Sequence, residues 1–119
     1  MLSYANRFHG HSSLRYVFKN GETVRLRVLT VRFATNKHRK ESRFSVSISK
    51  KVLKSAVKRN RVRRRIYEVV RLSLSELTGI YDVVFIVTSP DLLQMAHPEV
   101  REAVLRSLTE AGVLASSTP

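Results

Sequence analysis

Two hydrophobic periods alternate along this chain of 119 residues. Leu14, Val17 and Phe18 stand at i, i+3 and i+4, which lays them on one face of a short helix. Ser12 or Ser13 can cap that helix, and Asn20-Gly21 stops it. From Glu22 to Phe33 the period is two: Val24, Leu26, Val28 and Thr30 alternate with Arg25, Arg27, Leu29 and Val31. That pattern predicts either one long strand or two short ones joined by a bend. Ala34 to Ser42 is a polar loop. Phe44, Val46 and Ile48 then alternate with Ser45, Ser47 and Ser49, a half-buried strand opened by Arg43. A long helix follows, with Ser55 as N-cap, Val62, Ile66, Val69, Val70, Leu74 and Leu77 as its apolar stripe, and Gly79 as its terminating glycine. Tyr81 to Thr88 is apolar almost without interruption, as expected of a central strand covered on both faces, and Ser89-Pro90 ends it. Pro98-Glu99 opens a last helix, buried through Val100, Val104, Leu105 and Leu108 and stopped by Gly112.

The predicted fold is a single α+β domain over residues 1–119. One mixed sheet of about four strands is backed by helices, in the order α-β-β-β-α-β-α. Residues 1–10 and 115–119 are expected to be flexible. No internal repeat or linker divides the chain. Cysteine is absent, which excludes disulfides, thiolate metal sites and cysteine nucleophiles. The N-terminus does not resemble a secretory signal, and the run Val83–Val87 is far short of a membrane span, so a cytoplasmic protein is expected.

Charge adds what the hydrophobic pattern cannot. Fourteen of the 22 Lys and Arg residues lie between Lys37 and Arg71, with only Glu41 and Glu68 as acids among them. The net charge of +13 is therefore sorted along the chain rather than spread over it. Its densest run, Lys58-Arg59-Asn60-Arg61-Val62-Arg63-Arg64-Arg65, falls on the long helix. Asn60, Arg61, Arg64, Glu68 and Arg71 project opposite the apolar stripe, Arg63 and Arg65 flank it, and Arg59 falls in line with it at the N-terminal end. Guanidinium groups one turn apart suit phosphates, and the Asn60 amide can both donate and accept. A polyanion, nucleic acid above all, is the expected partner. Phe18, Phe33 and Phe44 could add a stacking groove for unpaired bases. No Ser-His-Asp set, paired carboxylates, P-loop or dinucleotide fingerprint can be assembled, and His9, His11, His38 and His97 form no metal spacing. A DNA-reading helix-turn-helix is disfavoured because strands flank the basic helix, and a membrane-surface helix because its apolar face is needed for the core. A ribosomal or RNA-chaperone-type protein shares the charge and the fold type.

Arg43 to Lys51 with its closing Lys pair, Ala56, and Lys58-Arg59-Asn60-Arg61-Val62-Arg63-Arg64 together resemble the protein subunit of bacterial ribonuclease P. Val17-Phe18-Lys19-Asn20-Gly21 is similar to the family's first-helix ending, Tyr81–Val87 to its buried strand, and Asn6-Arg7-Phe8 to its usual start. The resemblance implies an unusual left-handed βαβ crossover around the basic helix. It implies a ribonucleoprotein, with one protein per RNA, that removes the 5′ leader of precursor tRNA by magnesium-dependent hydrolysis. The RNA performs the chemistry and mainly holds the magnesium, none being bound tightly by the protein alone. The implied partners are the catalytic RNA and precursor tRNA, with neither DNA nor membrane. Carried over by position, Lys50, Lys51, Lys58, Arg59, Asn60, Arg61, Arg63 and Arg64 should contact RNA, and Arg65, the last of the basic run, is counted with them. Phe18 matches an aromatic of the leader cleft, between the first helix and the sheet. Leu14 stands where many members have a second Phe, Arg32 is the candidate on the strand side, and Ser45 replaces a usual Gly.

Overall fold

The computed structural model describes residues 4–8, 12–36 and 39–115. Helix α1 spans Ser12–Asn20, followed by strands β1 (Glu22–Arg25), β2 (Leu29–Thr35) and β3 (Arg43–Ser47). Helix α2 (Ala56–Ser73), strand β4 (Tyr81–Val87) and helix α3 (His97–Ala111) complete the chain, with short 3-10 turns at Tyr4–Asn6, Leu74–Glu76 and Pro90–Leu93. The period-two stretch after Gly21 thus resolves into two strands. β1 and β2 form an antiparallel hairpin with Glu22 opposite Phe33 and Arg25 opposite Thr30. β4 inserts between β2, to which it runs antiparallel, and β3, to which it runs parallel, giving the sheet order β1-β2-β4-β3. α2 is the connection between the parallel pair.

Strand parity sorts the sheet into two faces. Leu29, Val31, Phe33, Phe44, Val46, Val83, Phe85 and Val87 join the core with Val62, Ile66, Val69 and Val70 of α2 and Val100, Val104 and Leu108 of α3. The rings of Phe44 and Phe85 stack there, 6.5 Å between centroids. Phe33 and Phe44, expected as possible base-stacking groups, are therefore core residues; of that trio only Phe18 is exposed. The opposite face carries α1, which packs on β2 and β4. Gly21 permits this close seat: a Cβ there would lie 2.5 Å from the Val17 carbonyl oxygen and 2.8 Å from that of Phe33.

Ser55 caps α2 as expected, its hydroxyl accepting from the Lys58 amide at 3.3 Å. Gly112 ends α3 in the left-handed region, at φ 81°. Gly79 does not end α2. The helix stops at Ser73, tightens into the 3-10 turn, and Gly79 has no positive φ. Tertiary packing overrides the local glycine signal, because Leu74 and Leu77 rest on the core and Leu77 bridges to Leu114. Residues 4–8, expected to be flexible, make contacts with the sheet edge. Arg7 pairs with Phe44 at the β3 edge, and the buried Asn6 amide donates to the Ser42 carbonyl at 2.8 Å. The expectations for residues 1–3, 9–10 and 116–119, for the Ser12 or Ser13 cap, and for His9, His11 and His38 lie outside the described residues and side chains.

Candidate nucleic-acid interface

The basic helix presents its charge unevenly. Lys50 and Lys51, on the turn that follows β3, are exposed, as are Lys58, Asn60, Arg61 and Arg64 on α2. Three of the expected RNA-facing arginines are partly or wholly turned inward. Arg59 donates through Nη1 to the Leu53 and Lys54 carbonyls at 2.9 and 2.8 Å, closing the loop before the helix. Arg63 donates to the Val46 carbonyl at 3.3 Å and to Asn60 Oδ1 at 2.9 Å, so it spans from the β3 edge to the exposed amide. Arg65 is the most fully engaged of the three within the protein. Its guanidinium reaches the Leu92 and Leu93 carbonyls at 2.7 and 3.0 Å and also the Met95 carbonyl, bracing the turn that leads into α3. A cationic run does not show which members find backbone carbonyls; only the fold brings residues 92–95 to the helix.

Glu68 is held by Arg71, whose hydrogen bond keeps its carboxyl below the usual range. Tyr67 lies half-buried beside β3. Burial pushes its phenol above the ordinary range, against weaker opposing contacts from the Val46 backbone and the charge of Arg63.

Beside this helix lies the polar face of the sheet. Register places Thr23, Arg32, Val84 and Ser45 in one row across four strands, and Arg25, Thr30, Ile86 and Ser47 in the next. Val17 is fully buried under α1, whereas Leu14 is half-buried and the Phe18 ring remains 44% exposed. Arg32 sits where the helix meets this face. It donates to Thr23 Oγ1 at 2.9 Å and to the carbonyls of Phe18 and Gly21 at 2.5 and 3.2 Å, with its guanidinium carbon 5.9 Å from the Phe18 ring centroid. Its Nη2 is thus spent on the carbonyls that close α1, where a positive charge is favoured, while Nε is buried without a hydrogen-bond partner among the described residues. Arg32 fixes the place of Phe18 more than it offers a free charge. Thr30, Ser47 and Ile86 were not singled out from the sequence, although the Ser alternation of β3 was a readable sign that this face is polar.

One buried constellation lies on the same sheet face, one row further along. Arg43 and Asp82 face each other across the parallel pair, with Nε to Oδ1 at 2.9 Å and Nη2 to Oδ2 at 2.8 Å. The Asn36 amide donates to the same carboxylate at 2.9 Å, and the Phe8 ring lies 4.8 Å from the Arg43 guanidinium. Among the described residues, no three His, Asp or Glu side chains are grouped so as to hold a metal ion.

A family model described as Ribonuclease P matches residues 2–112. The chain is 36% identical over 116 residues to a ribonuclease P protein component of Roseiflexus sp. strain RS-1, covering 98% of this chain and 93% of that one. A solved RNase P protein of Staphylococcus aureus superposes with a TM-score of 0.82 at 25% identity, covering 92% of this chain and 97% of that chain. One from Thermotoga maritima superposes with a TM-score of 0.76 at 23% identity, over 87% and 96% respectively, a likeness of fold.

Proposed function

The chain belongs to the ribonuclease P protein family, and on that premise we propose that it carries RNA on two adjoining surfaces without performing the cleavage itself. As a ribonuclease P protein component it is a subunit of an endoribonuclease holoenzyme that works with the ribonuclease P RNA. On our reading, Lys50, Lys51, Lys58, Asn60, Arg61 and Arg64 meet phosphates of that RNA. The cleft between α1 and the polar sheet face takes the single-stranded 5′ leader of precursor tRNA. The chemistry belongs to the RNA, and the magnesium that the reaction needs is held there by phosphates. The protein's share is fixed positive charge and a docked substrate. Lowering phosphate repulsion around the RNA lets the same metal sites fill at lower magnesium.

The observation that carries this reading is the Phe18 ring, left exposed beside Arg32 on a sheet face of hydroxyls and arginine. An aromatic presented to solvent above polar side chains is the arrangement that stacks an unpaired base. Phe18→Ala is expected to weaken binding of a precursor tRNA with a leader of several nucleotides by roughly 10- to 100-fold, the loss of about 1–3 kcal/mol of stacking. Mature tRNA, which has no leader, should bind the holoenzyme unchanged, and the melting temperature should hold. Equal losses for both tRNA forms with a lowered melting temperature would make Phe18 a packing residue and remove the cleft role.

A further inference from the structure

An open hollow of about 370 Å³ is lined by Arg61, Arg64, Arg65 and Glu68 of α2 and His97 of α3. Its charges are not equivalent. Arg65 is occupied by the carbonyls of Leu92, Leu93 and Met95, on the turn that precedes α3. Glu68 is engaged by Arg71. Arg61 and Arg64, one turn apart on the exposed face, have no hydrogen-bond or ion-pair partner in the described structure. His97, the first residue of α3, is exposed and faces them across the hollow. Two unpaired guanidinium groups and an imidazole thus line one space from two helices, with the Glu68 carboxylate already held by Arg71. Like charges that share a hollow repel one another, and an added anion relieves that cost. Guanidinium forks suit a tetrahedral phosphate oxygen pair, and the imidazole can donate to a third oxygen.

We propose that Arg61, Arg64 and His97 form a phosphate-binding cleft across the α2–α3 junction that takes a backbone phosphodiester of the RNA partner. The contact with RNA then extends onto α3. The proposal rests on the reading of α2 as an RNA-binding surface and adds to it a residue outside the basic run. A protonated imidazole would add a third cation to the cleft, so binding should strengthen as the pH falls. Among the described residues, the charged groups that line the hollow with His97 are Arg61, Arg64, Arg65 and Glu68 of α2. Asp91 and Glu99 line a separate hollow with Arg27.

The test measures affinity of the full chain for a ribonuclease P RNA transcript at about pH 6 and pH 8, over a range of salt. Four proteins are compared: the parent, Arg61→Ala, His97→Gln and His97→Lys. Arg61→Ala should weaken binding at both pH values. His97→Gln should lose roughly 3- to 10-fold at pH 6 and little at pH 8, with the log-affinity against log-salt slope at pH 6 reduced by about one unit or less. His97→Lys should bind well at both pH values and lose the pH dependence. Inorganic phosphate should compete with RNA in the parent more strongly than acetate at equal ionic strength. If acetate competes as well as phosphate, the cleft is an unselective anion site and the phosphate assignment fails. If His97→Gln matches the parent at pH 6 while Arg61→Ala is impaired, α3 lies outside the interface and only this inference falls. If neither variant is impaired, the RNA-binding reading of α2 falls with it.

Discussion

Val69→Asp is expected to unfold the domain. Val69 is 2% exposed and sits on the α2 stripe that faces the sheet. A carboxylate there has no partner in the core and must either stay ionised without solvent or take up a proton, and the lost methyl packing adds to the cost. A loss on the order of 4–5 kcal/mol or more is expected, which rivals the whole stability of a typical domain. Leu72→Gln on the same helix is the control. Leu72 is 62% exposed, and a substitution there should change stability by about 0.5 kcal/mol or less. Urea unfolding of the two variants measures the contrast directly. A Val69→Asp protein with an undiminished midpoint would mean that α2 packs in a different phase.

Asp82→Ala should cost nearly as much, by a different route. The Arg43–Asp82 pair is buried on both sides and joined by two hydrogen bonds, so removing the carboxylate strands a guanidinium away from water. Breaking one partner of such a pair costs about 3–5 kcal/mol, while replacing both by apolar side chains is often near neutral. The double variant Arg43→Met with Asp82→Leu should therefore recover most of the stability lost in Asp82→Ala. The effect also reaches the N-terminal segment, because Phe8 rests on Arg43. A single variant within about 1 kcal/mol of the parent would show that the pair contributes little to holding β3 beside β4.

These two residues also mark the boundary of what the chain discloses on its own. Val69 was legible as core because helical period is local: one turn repeats the stripe regardless of what it packs against. The buried run of β4, the Ser alternation of β3 and the Ser55 cap were legible for the same reason. Arg43 was not, since an arginine opening a strand signals solvent until its counter-charge is known, and Asp82 lies 39 residues away. Gly79 misled because a glycine after a helical stripe is a local signal, and the packing of Leu74 and Leu77 outweighs it. The break between β1 and β2 was ambiguous because the alternation continues through Leu26, Arg27 and Val28 without a Gly or Pro to mark it. In the candidate interface, the basic run was visible from residue type and spacing, whereas Phe18 was separated from Phe33 and Phe44 only by its likeness to the family. The division of its arginines into exposed groups such as Arg61 and Arg64 and inward braces such as Arg65 depends on carbonyls supplied by distant segments. Arg32 was found as a candidate, but its work of holding the end of α1 appears only once the hairpin places Thr23 beside it.

The central claim is that this chain assists an RNA catalyst and does not cleave RNA itself. Reconstitution tests it most directly: the purified protein, freed of nucleic acid, is combined with a bacterial ribonuclease P RNA transcript and a precursor tRNA at limiting magnesium. Release of the 5′ leader is then followed for protein alone, RNA alone and the mixture. The account predicts no cleavage by the protein, slow cleavage by the RNA, and a large acceleration in the mixture that shrinks as magnesium is raised. Robust 5′ maturation by the protein alone, or a mixture no faster than the RNA at any magnesium concentration, would contradict it.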